Sequence, residues 1–358
     1  MILRFIRHNT APFPAPLIAQ PDSGGSRNDL SDLSDLNGRS ENTPSSAAGW
    51  KWLPPWPFIL LNLAALLVFW VGISPVAVLV AVALYFIRMF GITAVYHRYL
   101  SHRTYKTSRL MQFLLAFLGN TAAQRGPLWW AAHHRHHHAH SDTPEDPHSP
   151  PEHGFWNSHA LWWGRVQNIP TRLHLVKDLA KYPELRFLDR FDALAPLTLA
   201  ALTYLLGAVL QRWVPGLHTS GMQMLVWGFF VSTVVLFHGV ATINSLAHVF
   251  GSRRFRTSDS SRNNFFLALI TMGEGWHNNH HHYPNSVRQG FYWWEVDVSY
   301  YLLRAMASVG LVWDLKPVPD RILGQAIGRK ERAAFTPKWR EFSEMPKSLS
   351  APMVEEAA

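Results

Sequence analysis

Cysteine is absent from all 358 residues. Disulfides, cysteine-ligated zinc, rubredoxin-type iron, iron–sulfur clusters and C-x-x-C-H haem attachment are therefore excluded within this sequence. No HPGG haem-binding signature occurs either. Any electrons the chemistry needs are expected from a separate protein. Charge is also scarce: 16% of residues are charged, against the usual quarter in soluble domains. The apolar run in MILRFIRHNT is too short for a secretory signal. No nucleic-acid motif accompanies the net charge of +9, so the basic surplus points to lipid or an acidic partner, with no nucleic acid expected.

Hydrophobic residues make up 48% of the chain, with 16 tryptophans and 10 tyrosines, a composition suited to a bilayer and its headgroup zone. Residues 1–50 are rich in Ser, Asp, Asn, Pro and Gly and read as a disordered cytoplasmic tail. Four apolar stretches follow, at about 56–73, 75–96, 193–214 and 222–247. Each approaches the roughly 20 residues needed to cross a bilayer. Only a short turn separates the first pair, so they form a membrane hairpin, and the second pair form another. Arg88 within the second stretch is expensive in lipid, which places it near an end or against protein. The segment from His97 to Arg190 carries twelve Lys or Arg and the segment after His248 fourteen. The turn GISP carries none, and the second turn only Arg212. The positive-inside rule then puts both charged segments and both termini in the cytoplasm. The expected fold is an all-α integral membrane protein. Its four transmembrane helices carry a cytoplasmic helical cap, and residues 316–358 form a polar C-terminal tail. Leu110–Ala123 reads as an interfacial or buried helix. Residues 171–190 read as an amphipathic surface helix.

Histidine dominates the charged segments. HRYLSH holds His97 and His102, HHRHHH holds His134, His137 and His138, and HNNHHH holds His277, His280 and His281; His248 stands alone. Neutral imidazole is the commonest metal ligand, and nine are more than one ion can use. A histidine-ligated dimetal site is expected on the cytoplasmic side. His97 and His102 are five residues apart, about 140° off one face of a straight α-helix. Either the helix loosens there or the two serve different metals. In H-x-x-H-H the first and fourth positions share a face and the fifth sits beside both. One metal can then take a pair and its neighbour the third. The shifted set His133, His136 and His137 fits H-x-x-H-H as well, and His140 and His282 are further candidates. His8, His153, His159, His174, His218 and His238 read as ordinary structural or surface histidines. All-imidazole ligation suits iron, zinc, copper or nickel. A diiron site is favoured, because two irons can divide the reduction of O₂.

The text GITAVYHRYLSHRTYKTS, WWAAHHRHHHAHSDTPEDPHSP, NSLAH and GEGWHNNHHHYP resembles the membrane-bound fatty acid desaturases of the stearoyl-CoA (Δ9) type. It is most similar to their bacterial branch. The likeness covers about residues 55 to 315, so 51–315 is expected to form the desaturase domain. The resemblance implies a second box of His134, His137 and His138, His248 as the ninth ligand, and Asn244 holding a metal-bound water. It further implies Gln124 and Trp130 as residues that kink an acyl tunnel. A family threonine is replaced by Val240, which leaves the position of the double bond open. The implied reaction puts a cis double bond into a long-chain acyl-CoA or acyl-lipid, using two iron ions (Fe²⁺/Fe³⁺), O₂ and two electrons. A ferredoxin, rubredoxin or cytochrome b5 system would supply the electrons, at a bacterial inner membrane. Arg253, Arg254 and Arg256 are candidates for CoA phosphates or an acidic donor, or are a topology flank. The competing readings are a diiron hydroxylase or alkane monooxygenase, and a metal transporter.

Overall fold

The computed structural model describes residues 56–328. The expected tail 1–50 and residues 329–358 lie outside that range. The first apolar stretch is broken into α1 (Trp56–Ala65) and α2 (Val68–Val71). The apolar helix Phe58–Val71 is shorter than the three helices that are long and apolar enough to cross a membrane. Those three, among the described residues, are Pro75–Ser101, Leu194–Trp213 and Gly221–Val249. The first begins as α3 (Pro75–Phe90), opened by a proline at its first turn, and continues as a π-helix, Gly91–Ser101. Its outer face carries exposed Leu79, Val82 and Phe86, and Arg88 faces protein at 1% exposure.

Next come α4 (Arg109–Asn120) and α5 (Pro127–His140), then α6 (Pro150–His153), α7 (Lys177–Ala180) and α8 (Pro183–Arg190). Ser108 caps α4 by accepting from the amide of Met111, and Leu110 and Leu114 are exposed along it while Leu115 and Ala116 are buried. The surface helix expected over 171–190 is divided instead. A 3₁₀ turn at Leu173–Val176 leads into α7 and α8. Pro183 starts α8, because proline removes a backbone donor and disfavours α geometry in the residue before it.

The second hairpin is α9 (Leu194–Trp213) against α10 (Gly221–Leu225). A side chain at Gly207 would collide with the Ser220 carbonyl, so glycine lets the two helices close together. A π-helical turn, Val226–Val231, joins α10 to α11 (Ser232–Asn244), followed by α12 (Leu246–Val249). The rest is a cap of short helices, α13 (Phe265–Ile270), α14 (His277–His282) and α15 (Val298–Ser308). A two-residue antiparallel pairing of Lys106 with Trp313 and Thr107 with Val312 ties the cap to the end of the first long helix. One core of buried side chains runs through these elements, including Tyr96, Leu100, Leu128, Leu185, Leu236 and Leu303. Residues 316–328, grouped with the polar tail from sequence, pack here. Ile322 joins Phe255 and Phe291 in a small apolar cluster, and Lys316 donates to the Thr104 carbonyl.

Candidate metal centre

The π-helix resolves the spacing of the first histidine pair. Its i→i+5 bonds, such as that from the His102 amide to the His97 carbonyl at 3.2 Å, put residues five apart on one face. His97 and His102 therefore point together. They meet His134, His138 and His280 in one group, while His137, His248, His277 and His281 form a second. The loosened helix holds, and the two histidines share a cluster. All nine histidines singled out from sequence enter these two groups, and His133, His136, His140 and His282 do not. His133 donates through Nδ1 to the Trp129 carbonyl, His136 meets the Glu145 carbonyl, His140 the His136 carbonyl and His282 the Gln325 side chain. His159 and His238 lie 3.0 Å apart, nitrogen to nitrogen, away from both groups.

The donor atoms converge. Nε2 of His97 and His138 each lie 2.9 Å from Nε2 of His280, and Nε2 of His102 lies 2.8 Å from that of His134. In the second group Nε2 of His248 and His277 are 3.1 Å apart. Imidazole nitrogens about 2.1 Å from one ion and at right angles stand roughly 3 Å apart. Three rings are fixed from behind by acids: His97 Nδ1 is 2.5 Å from Glu274, His137 Nδ1 2.9 Å from Asp146, and His281 Nδ1 2.5 Å from Asp259. A carboxylate accepts, so the Nδ1 atoms of His137 and His281 carry the proton and their Nε2 atoms present a lone pair. The buried Nε2 of His281 has no partner. Lone pairs crowded at this distance repel one another unless a cation lies among them, so the donor set fits a metal in each group.

Protonation agrees. His102, His134, His138 and His280 are held well below the ordinary imidazole value, first by burial and then by the charge of neighbouring histidines, His97 or His281 foremost. Neutral imidazole is the ligating form. Burial would lower His137 too, but the charge and hydrogen bond of Asp146 outweigh it and raise that ring. Burial would raise the Asp146 and Asp259 carboxyls; contact with His137 and His281 holds both well below the usual range. Sequence spacing flagged Asp146 only as a marker of register and missed Glu274 and Asp259. Their signal was a carboxylate near each box, three residues before His277 in GEGWH and in the loop after His248.

Other side chains lock the helices. Arg98 is 1% exposed and pairs with Glu274 at 3.0 Å and Asp297 at 2.9 Å, joining the first box to the third. Asp189 accepts from the amides of Leu128 and Trp129 and so caps α5 from another helix. Arg254 pairs with Glu295 at 2.7 Å and lies over Tyr292, and Arg253 donates to Thr257, so both arginines brace the cap.

A cavity of about 400 Å³ adjoins the first group. Gln124 and Trp130 line it, as do Phe58, Phe237, Val240 and Asn244, and His134 reaches it. Trp130 stacks on His134 at 5.0 Å. A smaller space of about 40 Å³ is bordered by Asn244, by His97 and His134 of the first group and by His137 and His277 of the second. It spans the two groups and is large enough for a water or a diatomic molecule.

The family model for fatty acid desaturases matches residues 73–314. A probable chloroplastic lipid desaturase of Arabidopsis thaliana is 38% identical over 248 residues, 68% of this chain and 65% of its own length. This chain thus spans just under two thirds of that relative. A Delta-9 acyl-lipid desaturase of Arabidopsis thaliana is 38% identical over 67% of this chain and 75% of its own length. An acyl-CoA C20 Delta5-desaturase of Anemone leveillei is 39% identical over 65% and 71%. The matched region contains all three long apolar helices and both histidine groups, and the chain belongs to the fatty acid desaturase family.

Proposed function

We propose that the chain is an oxidoreductase that puts a cis double bond, of the Δ9 class, into a saturated long-chain acyl-CoA or acyl-lipid. The observation that carries this is the meeting of five and four histidine donors beside an apolar cavity. His97, His102, His134, His138 and His280 hold one iron. His137, His248, His277 and His281 hold the other, with Asn244 contributing through a water. When bound, the two irons would supply the chemistry that takes two hydrogens from the chain and, with two electrons and two protons from outside, reduces O₂ to two waters.

The protein's own residues supply position and dryness. Phe58, Phe237 and Val240 shape the cavity wall and keep water from the reacting carbons. Gln124 and Trp130 set the bend of the acyl chain. Glu274, Asp146 and Asp259 orient their imidazoles. The relatives, by name, act on acyl-CoA and acyl-lipid substrates at Δ5 and Δ9; Δ9 and a bacterial inner membrane rest on the sequence motifs. In this reading residues 51–315 are the desaturase domain between two tails. It crosses the membrane four times in two hairpins, with the histidines on the cytoplasmic side. A separate ferredoxin, rubredoxin or cytochrome b5 system delivers the electrons.

The test is expression in a host without desaturases, with a compatible electron donor, and gas chromatography of total fatty acids with double-bond location. A new monounsaturated acid is expected. A hydroxy acid in its place would move the chain to the hydroxylases.

A further inference from the structure

Arg88 lies within the candidate span Pro75–Ser101 at 1% exposure, where a charge is costly and marks function by default. Its guanidinium donates to the Leu84 carbonyl at 3.1 Å, the Thr121 carbonyl at 3.4 Å, Thr233 Oγ1 at 2.7 Å and Ser232 Oγ at 2.5 Å. Every one of these acceptors is neutral. Among the described residues no carboxylate pairs with it. Four of its five N–H donors are used by a planar fork that lysine cannot reproduce.

Leu84 is on Arg88's own helix, but the other three acceptors belong to or adjoin two walls of the 400 Å³ cavity, and Thr233 lines it. Thr121 leads into Ala122, Ala123 and Gln124, all of which line it. Ala123 and Arg125, on either side of Gln124, have φ of 57° and 68°, a left-handed conformation that non-glycine residues hold only when their surroundings impose it. The buried Gln124 Nε2 has no hydrogen-bond partner, so no hydrogen bond at that atom competes with the turn in aiming it. The other wall is α11. Ser232 sits where the π-helical turn ends and α11 begins, and its hydroxyl also donates to the Gly228 carbonyl. Thr233, Phe237, Val240, Ala241 and Asn244 then line the cavity as one helical stripe. A rotation at Ser232 would turn this whole stripe, including Asn244.

We propose that Arg88 is a positioning residue for the acyl cavity. Its uncompensated guanidinium locks the Gln124 turn and the α11 stripe in one register, and so fixes which carbons of the chain stand at the metal centre. This rests on the desaturase reading.

The test is the product profile of the full chain in the desaturase-free host for wild type, Arg88→Lys, Arg88→Met and Ser232→Ala. Ser232 does not line the cavity, so its loss acts only through Arg88 and the helix junction. The readouts are the ratio of the main double-bond isomer to its neighbours and the metal bound per purified chain. Ser232→Ala and Arg88→Lys are expected to lower the isomer ratio at least fivefold with metal content unchanged, and Arg88→Met to lower it further. An unchanged ratio in Ser232→Ala and Arg88→Lys, with total product falling only as folded protein falls, overturns the proposal. If Arg88→Met does not accumulate, the other two variants decide. A wild-type chain that makes no olefin overturns the desaturase reading and this inference with it; wild-type olefin with unchanged variant ratios overturns the inference alone.

Discussion

Helices α5 and α14 each present histidines at i, i+3 and i+4, yet they serve the two groups in opposite order. In α5 the outer pair, His134 and His138, enters the five-histidine group and His137 the other. In α14 the outer pair, His277 and His281, enters the four-histidine group and His280 the other. Each helix therefore stitches both groups together, and neither group can form from one box alone. The supports differ as well. Helix α5 has 14 residues and an end capped by Asp189. Helix α14 has six, too few for its own backbone bonds to hold it. Buried side chains hold it instead. Asn278 accepts from the amides of Arg254 and Phe255, and Asn279 bonds Asn263, Gln289 and Glu295. A long helix can rely on a cap, whereas a short one needs bolts along its length.

The comparison is broken most severely at a ligand. His134→Ala on α5 and His280→Ala on α14 remove donors to the same group. Both are expected to abolish activity, by more than about 1,000-fold in product, and to lower bound iron. Full activity in either variant would show that the ligand set is wrong. Next in size, Asn279→Ala leaves buried partners unsatisfied, at about 1–3 kcal/mol for each. Chains carrying it should accumulate poorly and hold less metal, as read by fluorescence-detected chromatography and metal analysis. A wild-type melting temperature would refute the bolting of α14.

Changes behind the ligands sharpen the contrast. Asp259→Asn behind His281 and Asp146→Asn behind His137 should each weaken metal binding about 10- to 100-fold, measured by competition with a chelator. Equal affinity to wild type would remove these carboxylates from the site. Asp189→Ala is expected to cost only about 1–2 kcal/mol as the loss of a helix cap. Its melting temperature should drop with metal stoichiometry intact. His174→Ala, at an exposed position, and His153→Ala should do little to activity or metal content, and a marked loss in either would call for a tenth ligand.

Much of this site is legible along the chain. The H-x-x-H-H spacing already places three imidazoles on neighbouring faces of one helix turn, because side-chain direction in an α-helix repeats locally. Apolar stretches near 20 residues announce Pro75–Ser101, Leu194–Trp213 and Gly221–Val249. The break between α1 and α2 and the division of residues 171–190 were not visible in average hydropathy, which does not register where backbone bonds lapse.

What no local pattern carries is the meeting of distant donors. His97 touches Glu274 and His280, and His281 touches Asp259, through packing of segments apart in sequence. The π-helix that turns His97 and His102 onto one face is set by the surroundings of buried Gly91–Ser101, not by a five-residue spacing. Arg88 reads from sequence as a charge to be hidden, and its place between two cavity walls follows from the acceptors that α4 and α11 bring to it. Residue types and local periods were written in the chain. The split of nine histidines into five and four required the helices to pack, because a ligand set is a relation among elements and each element knows only its own geometry.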